Sequence, residues 1–195
     1  MPASVQTRGD GARILQSDIT GGGSYNIAAA DNEPERNTYG AGVLGFTLAA
    51  TPSDILTIQG SATKVIRIKS IIINGNSASL AAYPMSLIRR STVHTGGTST
   101  VLAAGLHDTT DPAATAVVRY FTANPTVGTL VSTLHVGRVI AASASNLDRL
   151  AFQYSWQNDK AVVLRGASEF LAVNMGGTVL AGSTTMDVDM LWTEE

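Results

Sequence analysis

The stretch LAFQYSW, residues 150 to 156, alternates large apolar side chains with small or polar ones without a break. A period of two is that of a half-buried β-strand, whose successive side chains leave by opposite faces. Leu150, Phe152, Tyr154 and Trp156 are therefore expected inside. The device recurs in TTMDVDMLW, with Met186, Val188, Met190 and Trp192 inward and Asp187 and Asp189 outward. It recurs again in LVSTLHVGRVIA, where Leu130, Leu134, Val136 and Ile140 form the inward set. In KVIRIKSIIIN the parity changes part-way, because Ile66, Ile68 and Ile72 share one face while Ile71 and Ile73 fall with Arg67 and Lys69. A strand buried on both faces at one end, or one bulged near Ser70, accounts for this.

Shorter runs at 55–59 (ILTIQ), 85–90 (MSLIRR), 161–165 (AVVLR) and 169–175 (EFLAVNM) add further strands, the last two joined by the turn Gly166-Ala167-Ser168. One segment departs from period two. In TTDPAATAVVRYFTANP, Asp111 is a helix cap, Pro112 suits a first turn, Val117, Tyr120 and Phe121 recur at helical spacing, and Asn124-Pro125 is a stop. A short helix between Asp111 and Asn124 is expected. The whole pattern predicts an all-β domain over residues 43–195: an antiparallel, jelly-roll-like β-sandwich with that one helix.

Residues 1–42 read differently. TGGGS and DNEPER surround only short apolar patches, so this segment has no core of its own and is expected to be an extended arm. Its anchors on a partner would be Ile14, Leu15, Ile19, Tyr25 and Ile27. GAGVLG, residues 40 to 45, matches the G-x-G-x-x-G spacing of a dinucleotide loop, but a polar, proline-broken segment precedes it and no helix-length run follows. A hinge between arm and sandwich is the better reading, with no cofactor.

Composition narrows the function. The 195 residues include no cysteine, which removes thiol catalysis, thiolate metal sites and disulfides together. A net charge of -2 offers no basic excess to a nucleic acid, and no apolar run is long enough to cross a bilayer as a helix. The start shows no secretory-signal pattern, so a soluble protein is expected. Only 14% of residues are charged against 44% hydrophobic, a composition suited to a chain covered by neighbours.

Candidate chemistry is sparse. His94, His107 and His135 are far apart with no second ligand at helical spacing, and His135 falls on the solvent side of its strand. Asp187 and Asp189 share a face and read as a solvated strand surface. Arg8-Gly9-Asp10 reads as a polar turn. Arg89-Arg90 is either a solvated strand end or a forked donor to an acidic neighbour. No nucleophile elbow or phosphate loop occurs, so neither a catalytic nor a metal residue is assigned.

LIRRSTVHTGGTST, HDTTDPAATAVVRYFTANP, VVLRGASEFLAVNMGG and the closing DMLWTEE, spread over roughly residues 55 to 195, resemble a group of small structural proteins encoded among the virion genes of tailed phages. The resemblance implies a non-enzymatic virion component, in the first instance a capsid decoration or cement protein that binds the major capsid protein and copies of itself. A tail, fibre or receptor- and carbohydrate-binding component is the alternative it leaves open, with Tyr154 or Trp156 then exposed for stacking.

Overall fold

Isoleucine, valine and aromatic residues at period two fold into strands throughout the described part of residues 37–195. The computed structural model describes residues 5–7, 13–15, 36–142, 149–154 and 160–195, with side chains from residue 36 onward. The chain divides into two units, Met1–Arg36 and Asn37–Glu195. In the first, β1 (Val5–Thr7) pairs antiparallel with β2 (Arg13–Leu15), Val5 opposite Leu15.

The second unit is an antiparallel β-sandwich. One six-stranded sheet runs in the order β10 (Leu130–Ala141), β6 (Ala81–Arg90), β13 (Phe170–Asn174), β4 (Asp54–Gln59), β9 (Val117–Ala123), β7 (Thr98–Leu102). The other runs β11 (Arg149–Gln153), β5 (Val65–Ser77), β14 (Thr184–Glu194), β3 (Asn37–Thr47), β8 (Gly105–Leu106). A sixth strand, β12 (Val162–Arg165), continues along the same edge of β5 as β11. Between the sheets Met186, Val188, Met190, Trp192, Ile66, Ile68, Ile71 and Ile73 meet Leu56, Ile58, Tyr83, Met85, Leu87, Leu171 and Val173 in one core. Trp192 is fully buried and stacks on Tyr39, ring centroids 5.8 Å apart. Each Ile or Leu removed from water contributes about 1.5–3 kcal/mol, so this layer dominates the stability of the sandwich.

The ambiguous parity of β5 has a definite cause. Its pairing with β14 skips a residue, Leu191 facing Ser70 but Trp192 facing Ile68, so Lys69 is bulged. The bulge turns Ile66 and Ile68, then Ile71 and Ile73, to the same interior.

Four expectations are corrected. No helix forms between Asp111 and Asn124: Asp111 closes a turn onto the Asp108 carbonyl, and β9 follows, paired on both sides with β4 and β7. Val117, Val118, Tyr120 and Phe121 are good strand formers, and two open ladders outweigh a cap and a proline. The sandwich begins at Asn37 and not at 43, and GAGVLG is no hinge, since all of it lies in β3, with Gly40 opposite Leu191 and Gly42 opposite Asp189. Gly45 has φ +64° at a bulge where Leu44 and Gly45 face Asp187 alone, and the Asp187 carboxylate accepts from the Gly45 N–H at 2.7 Å. Gly166-Ala167-Ser168 joins no hairpin, because β12 and β13 belong to different sheets and the turn crosses between them.

In β10 the inward set is Gly137, Val139 and Ala141, opposite Met85, Tyr83 and Ala81 of β6. Leu134 packs half-buried against the core, as expected, but Leu130, Val136 and Ile140 are exposed, at 57%, 75% and 42%. Register shifts after Leu130 and Thr133 move the parity, which a period-two count along the sequence cannot detect.

Candidate functional site

Two loops, residues 91–97 and 124–129, lie over the outer face of the sheet that contains β4 and β13. Thr95 and Thr126 exchange backbone hydrogen bonds of 3.1 and 2.8 Å, and Thr129 N–H donates to Thr92 Oγ1 at 2.7 Å. Under this flap the ladder between β4 and β13 is irregular: Val173 faces Leu56 but Asn174 faces Asp54, leaving Ile55 as the extra residue. The irregularity brings Asp54 and Asn174 onto one face.

Asp54 is the centre of a buried polar cluster. Arg90 grips its carboxylate with two forked bonds, Nε to Oδ2 at 2.5 Å and Nη2 to Oδ1 at 2.8 Å, and its Nη1 donates to the Gly128 carbonyl at 2.8 Å. Asn174 Nδ2 donates to Oδ1 and His94 Nε2 to Oδ2, each at 2.5 Å. Burial alone would push the Asp54 carboxyl up, but the hydrogen bonds from His94, Arg90 and Asn174, with the Arg90 charge, hold it below the ordinary carboxylate range. An ionised carboxylate only accepts, so His94 is the donor of this bond and carries a hydrogen on Nε2. That Nδ1 is buried with no partner, and the ring lies against Phe121 and Phe170 at centroid distances of 5.7 and 5.8 Å.

Beside His94 is a pocket of about 170 Å³, lined also by Thr57, Gln59, Ser99 and Arg119. An aspartate-oriented imidazole is one component of a general base or a metal site. Here no hydroxyl bonds to Nδ1, and among the described residues no three His, Cys, Asp or Glu side chains gather to hold a metal ion. The arrangement does serve as a fastener: one carboxylate ties β4, β6, β13 and a flap loop together.

A second cavity, about 370 Å³, opens between β10 of one sheet and β12 of the other. It is lined by Leu134, Val162, His135, Tyr154, Arg89 and Lys160, among others. His135 is exposed, but it stands opposite Leu87 on the side of β10 that carries Gly137 and Val139 inward, and its ring packs against Phe152 and Tyr154, 5.9 and 5.6 Å between centroids. The Tyr154 hydroxyl is buried without a partner, and burial pushes its pKa up to about 12. Arg89 spans the two sheets, donating to the Val163 carbonyl at 2.7 Å and to Glu169 at 3.2 Å. The Arg89-Arg90 pair is thus no solvated strand end: Arg90 is a forked donor to an acid, Asp54, and Arg89 pairs with Glu169, both within the chain.

A third polar centre closes the end of the core. The Glu194 carboxylate accepts from Thr115 N–H at 3.0 Å, Thr115 Oγ1 at 2.6 Å, Ala116 N–H at 2.9 Å and Trp192 Nε1 at 3.1 Å. Burial would raise its pKa, but these four donors overturn that and lower it. Sequence spacing gave no sign of either buried acid. The partners of Asp54 lie 36 to 120 residues away, and those of Glu194, apart from Trp192, lie 78 or 79 away.

Of the other singled-out residues, Asp189 is exposed, Asp187 is bound to Gly45, and His107 donates its backbone N–H to the Thr38 carbonyl. Ile14 and Leu15 are in β2, described by its backbone alone. Ile19, Tyr25, Ile27, Trp156, and Arg8-Gly9-Asp10 lie outside the described residues.

Among the described residues, no strand pairs with the outer edge of β10. Strand β10 is 12 residues long and pairs with β6 on one side, ending its sheet on the other. Leu130, Val131 and Val136 stand exposed along it, at 57%, 54% and 75%. A scan of protein-family models, a search of the curated proteins and a search of the solved structures each returned no match to the chain.

Proposed function

We propose that the chain is a non-enzymatic structural component of a tailed-phage virion, acting as a head decoration or cement protein that binds a capsid protein and copies of itself. The observation that carries this reading is the β10 edge. Proteins that work alone blunt their edge strands with short length, lysine, proline or covering loops, because an open ladder recruits other chains. The register shifts of β10 are confined to Leu130–His135, and the strand is long, has Arg138 as its one Lys or Arg residue, and lines its rim with valine and leucine. By contrast the conspicuous polar side chains of the interior, Asp54, Arg90 and Glu194, spend their hydrogen bonds within the fold. A stable contact of ordinary size removes about 1,600 Å² in total from water. The arm would add to it, with Ile14, Leu15, Ile19, Tyr25 and Ile27 as anchors on a neighbouring subunit.

The cavity beside Tyr154 favours one other reading, a tail or fibre component that binds a receptor glycan between His135, Tyr154, Arg89 and Lys160. Quantitative mass spectrometry of virions made by the encoding genome separates the two. A copy number matching the head lattice supports decoration, a number matching the few-fold symmetry of a tail supports the alternative, and absence from the particle overturns both.

A further inference from the structure

The two ends of the sandwich differ in charge. At one end β10, β11 and β12 terminate the two sheets, and Arg138, Arg149, Lys160 and Arg165 are all exposed there. The described segments 130–142, 149–154 and 160–165 contain no Asp or Glu, and even with Asp148 and Asp159 of the intervening sequence the cations outnumber the acids four to two. At the other end β7 and β8 terminate the sheets, followed by the segment 107–116 that leads back to β9. Residues 98–116 contain Asp108 and Asp111 but no Lys or Arg. Val101 and Leu106 are exposed here, at 51% and 39%.

We propose that copies of the chain join head to tail, the basic end of one seated on the acidic end of the next. This rests on the assembly reading above and names its partner as a second copy. Strand direction favours it. The β10 sheet has six strands, each antiparallel to its neighbour, so β10 and β7 run in opposite directions. Displacing a copy by one sheet width therefore sets β7 antiparallel to β10, the more stable of the two ladders. A two-fold contact of β10 with itself would instead bring two cationic ends together, a like-charge contact that disfavours a partner. Head-to-tail contacts do not close on themselves as a dimer but generate rings or extended arrays, as a repeating shell requires.

The test uses the full chain, by sedimentation velocity and native mass spectrometry over a range of protein and salt concentrations. Wild-type protein is expected to pass beyond the dimer and to dissociate as salt rises. Arg138→Glu with Arg149→Glu, and separately Asp108→Lys with Asp111→Lys, should each weaken association at least about tenfold, and an equimolar mixture of the two should recover it. Asp108→Lys alone, at an exposed position, serves if the double acidic variant folds poorly, as judged by its thermal transition. A strictly dimeric wild type, association unchanged by the acidic-end variant, or mixed variants that fail to recover overturn the proposal. A wild type that stays monomeric throughout overturns it as well. Virion copy number is measured independently, so each of these results leaves the structural reading standing or falling by itself.

Discussion

Asp54 shows what a single residue does in this fold. Its carboxylate is fully buried and receives bonds from Arg90, His94 and Asn174, so Asp54→Asn removes the charge that balances Arg90. Leaving one member of a buried ion pair costs about 3–5 kcal/mol, and chemical denaturation should show a loss of that size. The pH dependence has a fixed sign. The Asp54 and Glu194 carboxyls are both lowered in the folded chain, so their stabilisation is complete above the unfolded carboxylate pKa of about 4 and is lost as pH falls through the lower folded values. The thermal transition should be level near neutrality and fall steeply in acid, and Asp54→Asn should flatten that slope. Tyr154 has the opposite bearing. Its hydroxyl is buried without a partner, so Tyr154→Phe should be neutral or stabilise by up to about 1 kcal/mol. A loss above that would show that the hydroxyl has a partner.

At the scale of elements, the flap over the Asp54 cluster depends on Gly128. A Cβ there would collide with the Thr92 carbonyl oxygen, which is backbone and cannot swing away. Gly128→Ala should therefore part the two loops and expose His94, seen as faster hydrogen exchange across 91–97 and 124–129 with a cost of about 1–3 kcal/mol. Strand β10 responds differently to change. Val136 is 75% exposed, so Val136→Lys should leave the thermal transition within about 0.5 kcal/mol of wild type while reducing incorporation into particles. Unimpaired incorporation would show that this edge is not the contact. The alternation at LAFQYSW and TTMDVDMLW reports one strand at a time and was legible in the chain, with Phe152, Met186, Val188, Met190 and Trp192 buried. Pairing was not legible: β10 alternates as regularly, yet bulges and an edge position change which of its residues face in.

Across the whole molecule, one apolar layer joins the sheets, and Trp192 at its centre is fully buried against Tyr39. Trp192→Ala should cost about 3–5 kcal/mol, by transfer and by the cavity left behind. Such a loss can leave the fold below its stability threshold, because domains of this size hold only about 5–15 kcal/mol in reserve.

Period-two patterning, β-branched residues and glycine-rich turns were enough to make the class all-β, and the parity change in KVIRIKSIIIN called for either burial on both faces or a bulge near Ser70, of which the bulge forms, at Lys69. The inward side chains were legible in β11 and β14, where the strand itself carries no extra residue and the parity runs through unbroken. That Asp111–Asn124 is no helix, that Asp54 and Glu194 are buried with distant donors, and that the basic residues of β10, β11 and β12 gather at one end of the sandwich followed from the closed sheets alone. The physical reason is the same in each case. Alternation is a local property of the backbone, readable from neighbours in sequence, whereas a ladder, a buried ion pair and a charged edge are made by residues that the chain brings together only when the sheets close.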